Sequence, residues 1–284
     1  MTAEKESKRV AVIGAGVIGL SWAKLFVEHG MTVSVTDPRP DLADVVPDGV
    51  QVAASVEEAV RDADFVQENG PENLEFKKTL FAELVRAAPE HALLLSSSSA
   101  IPSTAFTKGI DGSRVLIGHP FNPPHVIPLV EVVPGEQTSA ESVARAVEFY
   151  RSLGRTPVVE RKEIPGFVGN RLQAALSREA AYLVEQGVVT PADLDAVVTN
   201  SLGIRWATVG PFLGAHLGGG PGGYRHLAEH IGKSMRGLAL GTPSDNPEKL
   251  IEAVESAYGS STYSALAETR DRKQLAVLTA LEEN

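Results

Sequence analysis

Within the stretch Gly118–Gly135, GHPFNPPHVIPLVEVVPG, His119 and Glu131 are of types suited to acid–base chemistry. Pro120 and Pro123 stiffen the segment after the histidine, and the run VIPLVEVV that carries Glu131 reads as a strand. A carboxylate inside such a run is unfavourable to bury without a partner. A His–Glu hydrogen bond satisfies both groups. It fixes the imidazole tautomer and raises its basicity, as an acid–base catalyst near neutral pH requires. Spacing alone leaves a catalytic pair and a purely structural one both open. Among the other histidines, His29, His91, His226 and His230 fall at helix ends or on polar faces, where solvation suffices, and no neighbour assigns a role to His216.

A second group of residues has the spacing of a dinucleotide site. VAVIGAGVIG holds Gly14, Gly16 and Gly19 as G-x-G-x-x-G, after a strand and opening a helix. The first glycine permits a tight turn, and the second lets backbone approach a pyrophosphate. The third allows close helix–strand packing, and the helix start, with Val17 and Ile18, receives the negative charge. Asp37 closes the next strand, 18 positions after Gly19. A carboxylate there binds ribose hydroxyls and repels a 2′-phosphate, so NAD is expected rather than NADP. Arg39, two positions on, is the one residue that pulls the other way.

These residues need elements to hold them. Up to about Ile164, short strand-like runs (RVAVIGAG, MTVSVTD, VQVAAS, DFVQENG, ALLLSSSS, RVLIGH, IPLVEVVPG, TPVVER) alternate with helical patterns, Ser55 caps one helix and Pro89 ends another. The alternation predicts a doubly wound parallel sheet covered on both faces. Beyond Ile164 the pattern is helical, with Phe167, Leu172, Leu176, Leu183 and Val184 in one stripe and Thr190 as an N-cap before Pro191. The expectation is an α/β protein: a Rossmann-type NAD-binding domain over 1–163, then an all-helical substrate and dimerisation domain over 164–284. A net charge of −10 over 284 residues, without a basic block, argues against nucleic acid and anionic membranes as partners. There is no cysteine, no apolar run of membrane-spanning length, and the start MTAEKESKRV is polar. A cytoplasmic protein with a small-molecule substrate is the expectation.

Taken in order, VIGAGVIG, ENLEFKK, SSSSAI, GHPFNPPHVIPLVEVV and PGFVGNRL resemble the 3-hydroxyacyl-CoA dehydrogenase family over nearly the whole chain. VQENGPENLEFKKTLF and IRWATVGPF are most similar to its branch acting on free hydroxy acids, which includes lambda-crystallin and L-carnitine dehydrogenase. The resemblance implies that His119 is the general base and Glu131 its orienting partner. It implies that Ser99 and Asn170 bind the reacting oxygen, with Ser98 as the alternate register of the serine. Asn122 would face the nicotinamide, and Glu72 and Lys77 would contact a cofactor ribose. It implies NAD as cofactor, no metal, and a homodimer.

Two departures bear on the substrate. Family members that use CoA carry a helical hairpin between the second and third strands, whereas PRPDLADVVPDG is far too short for two helices. Arg205 in GIRWA resembles an arginine of the free-acid branch, and a guanidinium suits a carboxylate. The expected activity is therefore NAD-dependent interconversion of a 3-hydroxyl and a 3-ketone on a small free acid. A CoA thioester substrate, or a crystallin-like protein that binds NAD without turnover, are the alternatives.

Overall fold

In this protein the strands end where the polar residues begin, and the order of the sheet explains that placement. The computed structural model describes residues 7–230, 232 and 237–282, so the polar start at 1–6 lies outside the described residues. The chain divides into two compact units, Met1–Arg171 and Leu172–Asn284.

The first unit holds one sheet of β1 (Arg9–Ile13), β2 (Thr32–Thr36), β3 (Gln51–Val52), β4 (Phe65–Glu68), β5 (Leu93–Ser96), β6 (Val115–Pro120), β7 (Leu129–Pro134) and β8 (Thr156–Val159). Their order is β3-β2-β1-β4-β5-β6-β7-β8, so the chain reverses direction of travel between β1 and β4, the place where such sheets bind ligands. Strands β1 to β6 are parallel. β7 pairs antiparallel with β6, and β8 runs parallel to β7. The sheet is therefore mixed, a correction to the expected parallel one. The link over 121–128 contains no helix, and a parallel crossover needs about a dozen residues or more, so the chain turns straight back.

Successive strand residues face opposite sides, and both sides are covered. Val10, Val12, Val33 and Val35 pack on one face against Trp22 and Phe26 of α1 (Val17–Glu28) and Phe149 and Tyr150 of α6 (Ala140–Ser152). Ala11, Ile13, Val66 and Leu94 pack on the other against α3 (Val56–Val60), α4 (Leu74–Ala87) and α5 (Ser103–Phe106). This two-sided burial is why the strands read as unbroken apolar runs, each large side chain contributing about 1.5–3 kcal/mol. Ser55 caps α3 by accepting from the Glu58 amide, and Asn73 caps α4 by accepting from Phe76. Between β2 and β3 there is only the short α2 (Leu42–Val45).

α7 (Phe167–Glu185) runs across the boundary between the two compact units. Its first turn is bonded to side chains of the sheet unit, described below. The second unit continues with α8 (Pro191–Val197), capped by Thr190, a π-helical turn over Val198–Leu202, α9 (Gly203–Thr208), α10 (Gly210–Gly218) and α11 (Gly223–Glu229). Helices Glu248–Tyr258 and Tyr263–Glu282 follow. Leu172 and Leu176 of the expected stripe are exposed, as are Ile204, Phe212 and Leu217. No helix among the described residues is long and apolar enough to cross a membrane.

Candidate active site

Glycine geometry at the end of β1 builds the dinucleotide cradle. Gly14 has φ +97°, and a Cβ there would stand 2.8 Å from the Asn69 carbonyl oxygen. A Cβ on Gly19 would lie 1.9 Å from the Gly14 oxygen, which is the close packing of helix on strand that the motif requires. Above Gly16 the space is open. Gly16 also caps α1 without a side chain, so the first amides of the helix have no side-chain acceptor and suit a pyrophosphate. Asp37 accepts from the Ala15 amide at 2.7 Å and from the Arg39 amide at 2.9 Å. Beside it a cavity of about 530 Å³ is lined by Gly14, Thr36, Asp37, Ala54, Phe76 and Leu80, large enough for an adenosine. The Arg39 guanidinium is held by Asp41 at 2.7 and 2.8 Å, so its charge already has an acid partner.

Glu72 and Lys77, the residues expected at a cofactor ribose, each have protein partners. Lys77 is fully buried, with Nζ 2.9 Å from both carboxylate oxygens of Glu68. Glu68 also accepts from the Ser96 hydroxyl and the Gly70 amide. Two of the three ammonium donors of Lys77 are thus directed at Glu68. Glu72 turns toward the serine loop and accepts from the Ser98 hydroxyl at 2.7 Å and from the Ala100 and Ile101 amides at 3.0 Å. Partial burial opposes its ionisation, but the Ser98 hydroxyl, those two amides and the nearby Lys77 charge hold its carboxyl below the ordinary range. Ser98 is thus a structural member of the loop. The Ser99 hydroxyl has no partner among the described residues, while the Ser99 carbonyl accepts from Asn170 Nδ2 at 2.9 Å. Asn170 is thereby tied to the serine loop.

His119 and Glu131 are directly opposite one another in the β6–β7 register. Both are buried, and His119 Nδ1 lies 2.7 Å from Glu131 Oε2. A carboxylate can only accept, so Nδ1 carries the proton and Nε2 is the free acceptor. Glu131 Oε1 accepts from the Val168 and Gly169 amides at 3.0 and 2.7 Å, in the first turn of α7. Phe167 reaches that turn at φ +51°, unusual for a non-glycine residue, with its ring buried 5.5 Å from the imidazole. Gly169 is required because a Cβ there would meet the Phe121 ring at 2.4 Å. Burial works against ionising Glu131, yet the bonds from His119 and the Gly169 amide hold its carboxyl below the usual range. Asn122 stands exposed on the β6–β7 link.

Two residues near the site were not singled out by their sequence. Glu160, at the end of β8, is buried and accepts from the Val168 amide at 2.8 Å. The signal for it was of the same kind as for Glu131, an acid closing the apolar run TPVVE. His125 joins the β6–β7 link to α1 through the Ser21 hydroxyl at 2.7 Å, a contact no local pattern marks. In the second unit, Arg205 lies exposed on α9, packs its stem over Gly214, and has no ion pair among the described residues.

Residues 9–51 and 41–164 match the family model described as 3-hydroxyacyl-CoA dehydrogenase, NAD binding domain, and residues 166–260 match the C-terminal domain of the same family. The two pieces of the first match meet at 41–51, in and around the short link between β2 and β3. An L-carnitine dehydrogenase of Streptomyces coelicolor is 41% identical, over 99% of this chain and 96% of the relative. A 3-hydroxyacyl-CoA dehydrogenase of Gibberella moniliformis is 40% identical, over 97% of this chain and 95% of the relative. Among solved structures, the NAD-dependent dismutase 5-formyl-3-hydroxy-2-methylpyridine 4-carboxylic acid 5-dehydrogenase is similar at TM-score 0.82 and 30% identity, over 97% of this chain and 99% of that one.

Proposed function

The chain belongs to the 3-hydroxyacyl-CoA dehydrogenase family, and from that premise we propose that it interconverts the 3-hydroxyl and 3-keto forms of a small free carboxylic acid, with His119 as general base and Glu131 as its orienting partner. It is an NAD-dependent oxidoreductase. The observation that carries the finer reading is the buried 2.7 Å His119–Glu131 contact, in the same unit as the unpaired Ser99 hydroxyl and Asn170. Bound NAD supplies the hydride acceptor. In the oxidative direction His119 Nε2 would take the hydroxyl proton, and NAD, when bound, would accept the hydride from the same carbon as the carbon–oxygen double bond forms. Ser99 and Asn170 position that oxygen, so the reacting atoms meet in a fixed geometry. Gly14, Gly16, Val17, Ile18 and Gly19 would hold the pyrophosphate, Asp37 the adenosine ribose, and Asn122 the nicotinamide side.

Two observations favour a free acid over a thioester. The link between β2 and β3 holds one short helix, with no hairpin to grip a CoA nucleotide. Arg205 offers an exposed guanidinium with no acid partner among the described residues, and we assign it to the substrate carboxylate. The helices after residue 163 form the substrate and dimerisation domain of a cytoplasmic homodimer. Exposed Ile204, Phe212 and Leu217 supply an apolar surface for the second copy.

The test is a substrate panel read by NADH absorbance. Small free 3-hydroxy acids such as carnitine, gulonate and 3-hydroxybutyrate should give higher kcat/KM than 3-hydroxybutyryl-CoA. Arg205→Met should raise KM for the free acid about tenfold or more with kcat nearly unchanged, since a carboxylate is bound equally in ground and transition states. Arg205→Lys should restore only part of the loss. A preference for the thioester, with Arg205→Met silent, overturns the assignment.

A further inference from the structure

Two carboxyl groups converge on a single amide behind the imidazole. The Val168 N–H points at Glu131 Oε1, 3.0 Å away, and at Glu160 Oε1, 2.8 Å away. Both acids are buried. Glu131 has two further donors, His119 Nδ1 and the Gly169 amide, whereas the shared amide is the only protein donor Glu160 has among the described residues. The charged groups that face Glu160 are Glu131 on β7 and His119 on β6, while α7 brings backbone amides. The neighbouring Arg161 and Lys162 are exposed, and Glu163 is turned to the Ser103 hydroxyl and Thr104 amide at the start of α5.

Two anions sharing one N–H in a buried setting repel, and a proton held between them removes the conflict. The better-donated carboxylate keeps the charge and the poorer one keeps the proton. We propose that Glu160 is a positioning residue that stays protonated at neutral pH and donates its O–H to Glu131, so that His119, Glu131 and Glu160 form one hydrogen-bonded chain. The directions agree, since burial pushes the Glu160 carboxyl above the ordinary range, and contact with Glu131 adds to the rise. The donated bond draws electron density from Glu131 and thereby tempers the basicity that Glu131 confers on His119. This inference rests on the reading of His119 as base.

The test has two arms. In the infrared difference between wild type and Glu160→Gln, in D₂O at neutral pH and without substrate, the wild type should show the carbonyl band of a protonated carboxyl that the variant lacks. A carboxylate band lost instead would overturn the proposal. In the pH–rate profile, Glu160→Ala removes the donor, returns density to Glu131, and should move the acidic limb to higher pH by about half to one unit. Glu160→Gln keeps an N–H donor and should hold the limb near its wild-type position. If Glu160 were an anion, both variants would remove a negative charge and move the limb to lower pH. If its role were only to fill space, neither would move it. Either result overturns the proposal, and the infrared arm needs no substrate, so its failure is separate from that of the His119 assignment.

Discussion

Replacing Glu131 with glutamine tests the catalytic pair with almost no change of shape. Glu131 Oε1 is held by the Val168 and Gly169 amides, so the glutamine oxygen must stay there and its NH₂ must take the place of Oε2 against His119 Nδ1. An NH₂ can only donate, so Nδ1 becomes the acceptor and the ring proton moves to Nε2. The nitrogen that should receive the substrate proton then already carries one. The lost charge-assisted bond is worth about 1.5–3 kcal/mol, roughly ten- to a hundredfold in rate, and the inverted tautomer carries the total toward about 10²–10⁴-fold in kcat. Single-turnover and steady-state NADH formation should show that loss, with NADH affinity unchanged and the thermal midpoint lowered at pH 7. The carboxyl of Glu131 is held below its ordinary range, chiefly against burial, by the bonds from His119 and the Gly169 amide. Its stabilisation is therefore present above the unfolded value, near 4.5, and is lost as pH falls through the lower folded value. The stability difference between wild type and variant should shrink below about pH 4.5. Turnover of Glu131→Gln within about threefold of wild type, or a loss confined to KM, would refute the tautomer argument and leave the pair structural.

Three further substitutions separate neighbouring roles. Asp37→Ser should reduce the preference for NADH over NADPH about tenfold or more in direct binding, because the carboxylate lies at the ribose end of the cradle; unchanged discrimination would move the selectivity to Arg39 and Asp41. Ser98→Ala, which breaks the bonds to Glu72 and Ile101, should lower unfolding free energy by about 1–2 kcal/mol, whereas Ser99→Ala should lower kcat about tenfold with little loss of stability. The reverse pattern would move the oxygen-binding role to Ser98.

Local chemistry determined much of this protein before any fold was seen. The turn at Gly14 needs a positive φ, the helix after it starts without a side-chain cap, and Ser55 and Thr190 announce their helices through a hydroxyl at the right offset. An acid inside an apolar strand demands a partner, and His119 was the partner at hand. All of these are short-range constraints, so they are written in adjacent residues. The tertiary structure decided what depends on which distant groups meet. It turned β7 antiparallel because the preceding link is too short to cross over, and it enclosed Lys77 against Glu68. It gave Glu72 to the serine loop and so left the Ser99 hydroxyl, rather than that of Ser98, unpaired. It also carried the boundary of the sheet unit into α7, because the amides of Val168 and Gly169 satisfy Glu131, a residue 37 and 38 positions earlier. Glu160 shows the difference most plainly. An isolated glutamate at a strand end is an ordinary solvated acid, and only the arrival of Glu131 at the same amide makes its proton part of the site.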